Sequence, residues 1–319
     1  MLIVIPRSVG PSCGLADHAN VIAAEASKRG LGLSLCPWPQ TWIPAQGSSI
    51  LLEFTPLAYS RVGLPWGLLL RVLSSRLRGG RIVTYFHELP FTNGDTWKRQ
   101  FAVLLQRGFC LLLAGLSYQI VINQRGGIHW LAWLRPNSKP IFLPSCSNIG
   151  ESQHVLLPSA RPCQVAIFGS PGKRRHAHHL IADLGGYRKL FGANVNVLDI
   201  GEPVDLPSLL QDEVAVMGSL EPSQVLAHLL HSRFGFFYSE PYQFSKSGVF
   251  AAYCAAGVVP IISFNTADHS DYFLNIQQLT RQSSLVPNLD RVWLNCRQWF
   301  TSYSAKACAD KLLHLLGDH

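Results

Sequence analysis

Residues 234–263 read FGFFYSEPYQFSKSGVFAAYCAAGVVPIIS. The aromatic run Phe234 to Tyr238 predicts a buried strand, and Ser239 to Lys246 an irregular loop. The small residues from Ser247 to Ala256 predict a helix that Gly257 stops, and Val258 opens a second buried strand. The stretch is therefore a βαβ unit. Its loop ends on Ser245, Lys246, Ser247 and Gly248, so hydroxyls, one ammonium and unpaired backbone N–H groups meet at a helix N-terminus. Such an end favours an anion. The same residues also suit an ordinary cap at Ser247, with Lys246 turned to water.

Outward from this unit, strand-like segments recur at Leu2 to Pro6, Leu31 to Cys36, Ile50 to Phe54, Arg81 to Phe86, Gln119 to Asn123 and Pro140 to Leu143. They resume at Val165 to Gly169, Val195 to Ile200 and Val214 to Met217. Helical stretches separate most of them, and the strands are apolar on both faces. That alternation predicts an α/β fold of parallel, doubly wound sheets. The chain has 319 residues, enough for two cores. Pro144, Pro158 and Pro162 bracket a polar linker, which sets a boundary near Leu157 between domains 1–157 and 158–319. The tail, Leu289 to Leu316, reads as two helices.

Hydrophobic residues make up 48% of the chain and charged residues 14%, which excludes a disordered protein. The net charge is +8, calling for an anionic partner: a nucleotide, a phospholipid surface or a nucleic acid. Nucleic acid is set aside, because no zinc-finger spacing, RNA-binding aromatic motif or long basic run is present. Eight scattered cysteines without a CxxC read as buried free thiols in a reducing cytoplasm. LIVIP after Met1 is too short for a signal peptide. The apolar run Gly108 to Ile122 reads as a buried helix passing into a strand, short of a membrane span. Trp66 to Arg81 has leucines on one side and Arg71, Arg76, Arg78 and Arg81 elsewhere. It reads as an amphipathic helix with a solvated basic face, or as an attachment to the anionic, cytoplasmic face of a membrane.

Three further loops carry chemistry. Gly10 and Gly14 follow the first strand and let the backbone approach a ligand, although GxGxxG, and with it a dinucleotide fingerprint, is missing. His87 and Glu88 stand at the carboxyl end of VTYF. After the strand VAIFG, the loop SPGKRRHAHH brings Lys173, Arg174 and Arg175 to a helix start, which suits a diphosphate. His176, His178 and His179 at i, i+2, i+3 do not share a helical face, so they read as solvent-facing rather than as metal ligands.

KSGVFAAYCAAGVVPIIS resembles the nucleotide-sugar-binding segment of family four glycosyltransferases, which have the GT-B architecture. CGLADHA, the HELP segment, FLPSCSNIGE and GSLEPSQVLAHLLHSRFGFF resemble further family segments in the same order. Registered on Gly257, the family's two glutamates fall at Ala252 and Phe244, with Glu240 out of register. Members with a tyrosine and a Ser-Gly pair, here Tyr242, Ser247 and Gly248, are more similar. Ser170 stands where the family usually has an arginine.

The resemblance implies two Rossmann-like domains facing a cleft. The first is an acceptor-side domain and the second binds the nucleotide sugar, with the final helix packing back on the first. It implies a retaining, metal-independent, hexosyltransferase-like enzyme with no cofactor beyond its nucleotide-diphosphate sugar. His87 would touch the reacting sugar or the acceptor, while Gly14, Lys173, Arg174, Lys246, Ser247 and Gly248 would bind the donor. The acceptor would be a glycan, a lipid-linked group or a small molecule. The replaced glutamates motivate the alternative of a catalytically silent GT-B relative that binds a nucleotide sugar or serves as a partner subunit.

Overall fold

A computed structural model describes residues 1–7, 14–40, 46–90, 96–124, 131, 139–263, 271–276, 279 and 289–317. The packing divides the chain into two units, Met1–Ser145 with Ala305–His319, and Cys146–Ser304. Leu157, where the sequence suggests a boundary, lies inside the second unit.

Unit 1 is built on β1 (Leu2–Ile5), β2 (Ser34–Pro37), β3 (Ser49–Phe54), β4 (Arg81–Phe86), β5 (Gln119–Ile122) and β6 (Ile141–Phe142). All pair in parallel in the order β2-β1-β3-β4-β5-β6. The inner strands SILLEF, RIVTYF and QIVI are buried almost throughout, as a sheet covered on both faces requires. The connecting helices are α1 (Gly14–Ser27), α2 (Pro56–Tyr59), α3 (Trp66–Leu77) and α4 (Trp97–Leu116).

Unit 2 carries β7 (Gln164–Phe168), α5 (Pro171–Asp183), α6 (Tyr187–Phe191), β8 (Asn196–Ile200), β9 (Val214–Gly218), α7 (Pro222–His231), β10 (Phe234–Phe237), α8 (Gly248–Ala256), β11 (Val259–Ile262), β12 (Leu274–Asn275) and α9 (Leu289–Tyr303). Its sheet is also parallel, in the order β12-β11-β10-β7-β8-β9. The chain then returns to unit 1 as α10 (Ala305–Leu316), which lies against α1, β3 and β4. The seven described cysteines are free thiols, six of them buried.

The βαβ unit read from the sequence is β10-α8-β11. Ser247 Oγ accepts the Phe250 amide at 3.2 Å to start α8, and Gly257, at φ +64°, ends it in the left-handed region that glycine enters without strain. Residues 239–246 are not wholly irregular, since Pro241–Lys246 forms a 3-10 helix. Every residue from Phe250 to Ala256 is buried. The Tyr253 hydroxyl donates between the carbonyls of Phe236 at 2.8 Å and Ala166 at 3.0 Å, pinning α8 to both central strands.

The buried C-terminal carbonyls of α7 and α8 need donors, and arginines supply them. Arg161 donates to Ser232 O and Ala256 O, each at 2.9 Å, and Arg297 to Ala255 O at 2.7 Å. Both cations sit at the negative end of α8. Burial, then the charge of Arg297, holds the Arg161 guanidinium down at about 10, still cationic at neutral pH.

Two helices of unit 1 turn apolar residues outward. The Trp66, Leu70, Leu73, Leu77 side of α3 faces solvent, while Leu68, Val72 and Ser75 are buried. α4 starts at Trp97, well before the apolar run, and reaches 20 residues. The run from Gly108 is buried at Phe109, Cys110, Leu113 and Ala114 and passes into β5, whereas Phe101, Leu104, Leu105 and Leu112 are exposed. In both, the sheet takes a different stripe from the one richest in leucine.

Arg161→Ala would leave the Ser232 and Ala256 carbonyls buried without a donor, and should destabilise the protein by about 2–4 kcal/mol. Urea unfolding checks this; an unchanged midpoint would show that the carbonyls find other partners.

Candidate functional site

In an open parallel sheet, ligands gather beyond the carboxyl ends of the strands where neighbouring connections run in opposite directions. In unit 1 that point lies between β1 and β3, and in unit 2 between β7 and β10. Each holds a group of polar side chains.

In unit 1 the group is built on Glu53, fully buried near the end of β3. His18 Nδ1, from the first turns of α1, donates to Glu53 Oε1 at 3.0 Å. His87 Nε2, just past β4, donates to Glu53 Oε2. The Tyr85 ring lies 4.9 Å from the His18 ring and 4.2 Å from that of His87. Burial alone would raise the Glu53 carboxyl, but the charges and hydrogen bonds of both histidines outweigh it and hold the group down at about 2. His87 is itself lowered, first by burial, against which Glu53 pulls upward. At neutral pH the site is a carboxylate accepting two imidazole N–H groups. That fixes the His87 tautomer and leaves Nδ1 as its lone-pair nitrogen. Glu88 beside it is exposed, and so is Gly14 at the first position of α1. Gly10 and most of the loop around it lie outside the described residues. Of the described residues, His18, Glu53 and His87 also have metal-ligand spacing, with ligand atoms within 4.8 Å of one another.

In unit 2 a pocket partly open to solvent is lined by Gly169, Ser170 and Lys173 from the β7–α5 turn, Tyr238 from the end of β10, and Ser247 and Val249 from the start of α8. Two helix N-termini thus open into one space, and among the described residues that line it there is neither aspartate nor glutamate. Gly169 has φ +116°, and a Cβ there would come within 2.9 Å of Val249 Cγ2, so only glycine lets the turn approach α8. Lys173 is exposed at the rim. Lys246 ends the 3-10 helix next door and does not line the pocket. Gly248 is the first residue of α8 and is half-buried.

Beneath this pocket, Arg174 is 1% exposed. Its Nη1 bonds Asp199 Oδ2 at 2.6 Å, its Nε donates to Gly169 O at 3.0 Å, and its Nη2 donates to Glu202 O. Each guanidinium nitrogen is therefore engaged by the protein, which makes Arg174 a clamp on the Gly169 turn, and the residue also lines the pocket. Asp199 also accepts from His178 Nε2 at 3.2 Å, and the Tyr187 hydroxyl lies 3.0 Å from His178 Nδ1. His178 is thus fully buried, not solvent-facing as expected; His176 and His179 are exposed. Burial raises the Asp199 carboxyl, but hydrogen bonds from His178 and Arg174 and the Arg174 charge overcome this and leave it below its ordinary value.

No family model and no curated protein sequence matches the chain. Solved structures do. HepE from Anabaena in complex with UDP has a TM-score of 0.60 at 10% identity, with 99% of each chain covered. An alpha-glucosyltransferase in complex with UDP and a 13-mer DNA containing a central A:G mismatch reaches 0.59 at 10% identity, also over 99% of each. WaaG, a glycosyltransferase involved in lipopolysaccharide biosynthesis, reaches 0.54 at 12% identity over 100% of each. The chain has the GT-B fold.

Of the two positions registered with the glutamates of the family that the sequence resembles, one is buried and the other half-buried. Ala252 is fully buried, and the Phe244 ring lies 4.9 Å from Phe250 and 5.4 Å from Trp299 in an aromatic cluster. Glu240, out of register, accepts from Gln243 Nε2 at 2.8 Å. Sequence reasoning missed His18, Glu53 and Asp199. The available signal was a single acid inside each of two apolar strands, SILLEF and NVLDI.

The unit 1 group predicts an acid response with a definite sign. Glu53 binds its proton less readily folded than unfolded, so its stabilisation is full above pH 4.5 and is lost as pH falls to about 2. His87, also lowered, costs stability as pH falls below 6.5, where the unfolded imidazole takes up a proton first. Melting temperature should fall on acidification through both windows. Glu53→Gln should be less stable by about 1–3 kcal/mol at pH 7 and flatter below pH 4.5. Parallel melting profiles for both proteins would contradict this.

Proposed function

We propose that the chain is a glycosyltransferase that moves a hexose-type sugar from a nucleotide-diphosphate donor to an acceptor. The observation that carries the reading is the convergence of the α5 and α8 N-termini with Lys173 and Ser247 on one pocket at the β7/β10 switch point. The diphosphate would lie there, and UDP in two of the fold neighbours supports a uridine nucleotide as a first probe. Breaking the glycosidic bond loads charge onto the leaving diphosphate, and fixed N–H groups and an ammonium stabilise that charge as it develops. The acid-free lining supports a reaction without a divalent metal. His87, its tautomer set by Glu53, would contact the reacting sugar or the acceptor. Lys246 adds charge near the α8 start, and Gly248 offers its amide. Retention of anomeric configuration fits a mechanism that rests on leaving-group stabilisation.

The second reading is a silent GT-B relative that binds the nucleotide sugar without turning it over. The apolar surroundings of Phe244 and Ala252 favour it.

A panel of nucleotide sugars, assayed for release of nucleoside diphosphate with EDTA present, separates the two. The enzyme reading expects turnover that EDTA leaves intact; binding without turnover supports the silent relative. Lys173→Ala should weaken donor affinity roughly 10- to 100-fold with stability unchanged. His87→Ala should lower turnover by about 100-fold or more with affinity little changed. Arg174→Ala should instead destabilise the protein by about 3–5 kcal/mol, because it strands Asp199 buried and uncompensated. Wild-type affinity in Lys173→Ala would contradict the pocket assignment.

A further inference from the structure

Two neighbouring helices of unit 1 turn apolar stripes to solvent. On α3, Trp66, Leu70, Leu73 and Leu77 recur along one helical face and are 37% to 79% exposed. On α4, Trp97, Phe101, Leu104, Leu105 and Leu112 form a second stripe, 44% to 72% exposed. The helices link consecutive parallel strands, β3 to β4 and β4 to β5, so right-handed crossovers put both on the same face of the sheet. They also touch: Trp66 stands edge-on to Phe109 at 5.5 Å, and Gln106 Nε2 donates to Val62 O at 3.0 Å. Val62, at the bend before α3, extends the exposed apolar surface.

This is not a core that failed to close, because the opposite sides of both helices are filled by Leu68, Val72, Phe109, Cys110 and Leu113. An apolar face of this extent on a folded unit marks a contact surface. Its charge narrows the partner. Neither helix contains an aspartate or a glutamate, whereas α3 carries Arg71 and Arg76, and α4 carries Lys98, Arg99 and Arg107. A second copy docking through this face would bring those cations onto their equivalents.

We propose that the α3–α4 face seats the protein on an anionic lipid leaflet, with both helices lying in the plane of the interface. Apolar stripes would enter the acyl boundary while the flanking arginines and lysines meet headgroup phosphates. Trp66 and Trp97, each at the first position of its helix, suit the headgroup level. Among the described residues, α4 alone is long and apolar enough, by length and composition, to cross a membrane. Its buried contacts through Phe109, Cys110 and Leu113 instead hold it against the sheet, so it lies on the bilayer rather than through it. The scattered free thiols favour the cytoplasmic leaflet.

Co-sedimentation with phosphatidylcholine vesicles, with and without phosphatidylglycerol, tests this. The wild-type chain should bind the anionic vesicles about tenfold or more strongly than the neutral ones, and less so as salt rises. Leu70→Glu with Phe101→Glu, at exposed positions, should lose that binding about tenfold or more while melting at the wild-type temperature. Arg76→Glu with Arg99→Glu should abolish the preference for anionic lipid. Failure of the wild type to bind anionic vesicles would overturn the proposal, as would undiminished binding by the Leu70/Phe101 variant. A concentration-dependent dimer that this variant disperses would assign the face to a second copy and overturn it too.

Discussion

A parallel sheet is covered on both faces, so a carboxylate placed along one of its strands must be neutralised where it stands. Among the described strands there are two such acids, Glu53 on β3 and Asp199 on β8. Each is matched by cationic or N–H partners from the helix that follows the first strand of its unit: His18 of α1 for Glu53, Arg174 and His178 of α5 for Asp199. The pairing is costly to break, because removing one partner leaves the other buried and unmatched. It therefore fixes where those helices sit on their sheets.

The two pairs do different work. Glu53 has a second partner in His87, and by accepting its Nε2–H it determines which imidazole nitrogen keeps a lone pair. Asp199 holds the Arg174 guanidinium, which reaches the Gly169 carbonyl and thereby shapes the turn bordering the unit 2 pocket. In one case a buried acid orients an imidazole; in the other it braces a backbone. Neither role is visible in the acid alone.

Much of the fold was legible because parallel strands leave short, doubly apolar runs, and because Gly257 marks a helix end. Lys173 and Ser247 could each be picked out from local sequence, but their meeting at one pocket follows from the strand order, which no local stretch contains. On α5 the solvent-facing reading of His178 failed instructively. Arg174, Ala177, His178 and Ile181 recur at i, i+3, i+4, i+7 and form its buried face, yet two of the four are polar, so a hydrophobic pattern does not reveal them. On α3 the sequence left two readings, a solvated basic face or attachment to a membrane, and the sheet takes only the narrow row of Leu68, Val72 and Ser75.

The central claim is that the first amides of α5 and α8 receive a nucleoside diphosphate. Hydrogen exchange of the purified protein with and without saturating UDP tests it most directly, since helix-start N–H groups that gain a phosphate partner exchange more slowly. The account predicts new protection in those two helix starts, mainly at the amides of Gly172 and Lys173 in α5 and of Gly248 and Val249 in α8. Unchanged exchange in those two segments, with UDP bound elsewhere or not at all, would contradict it.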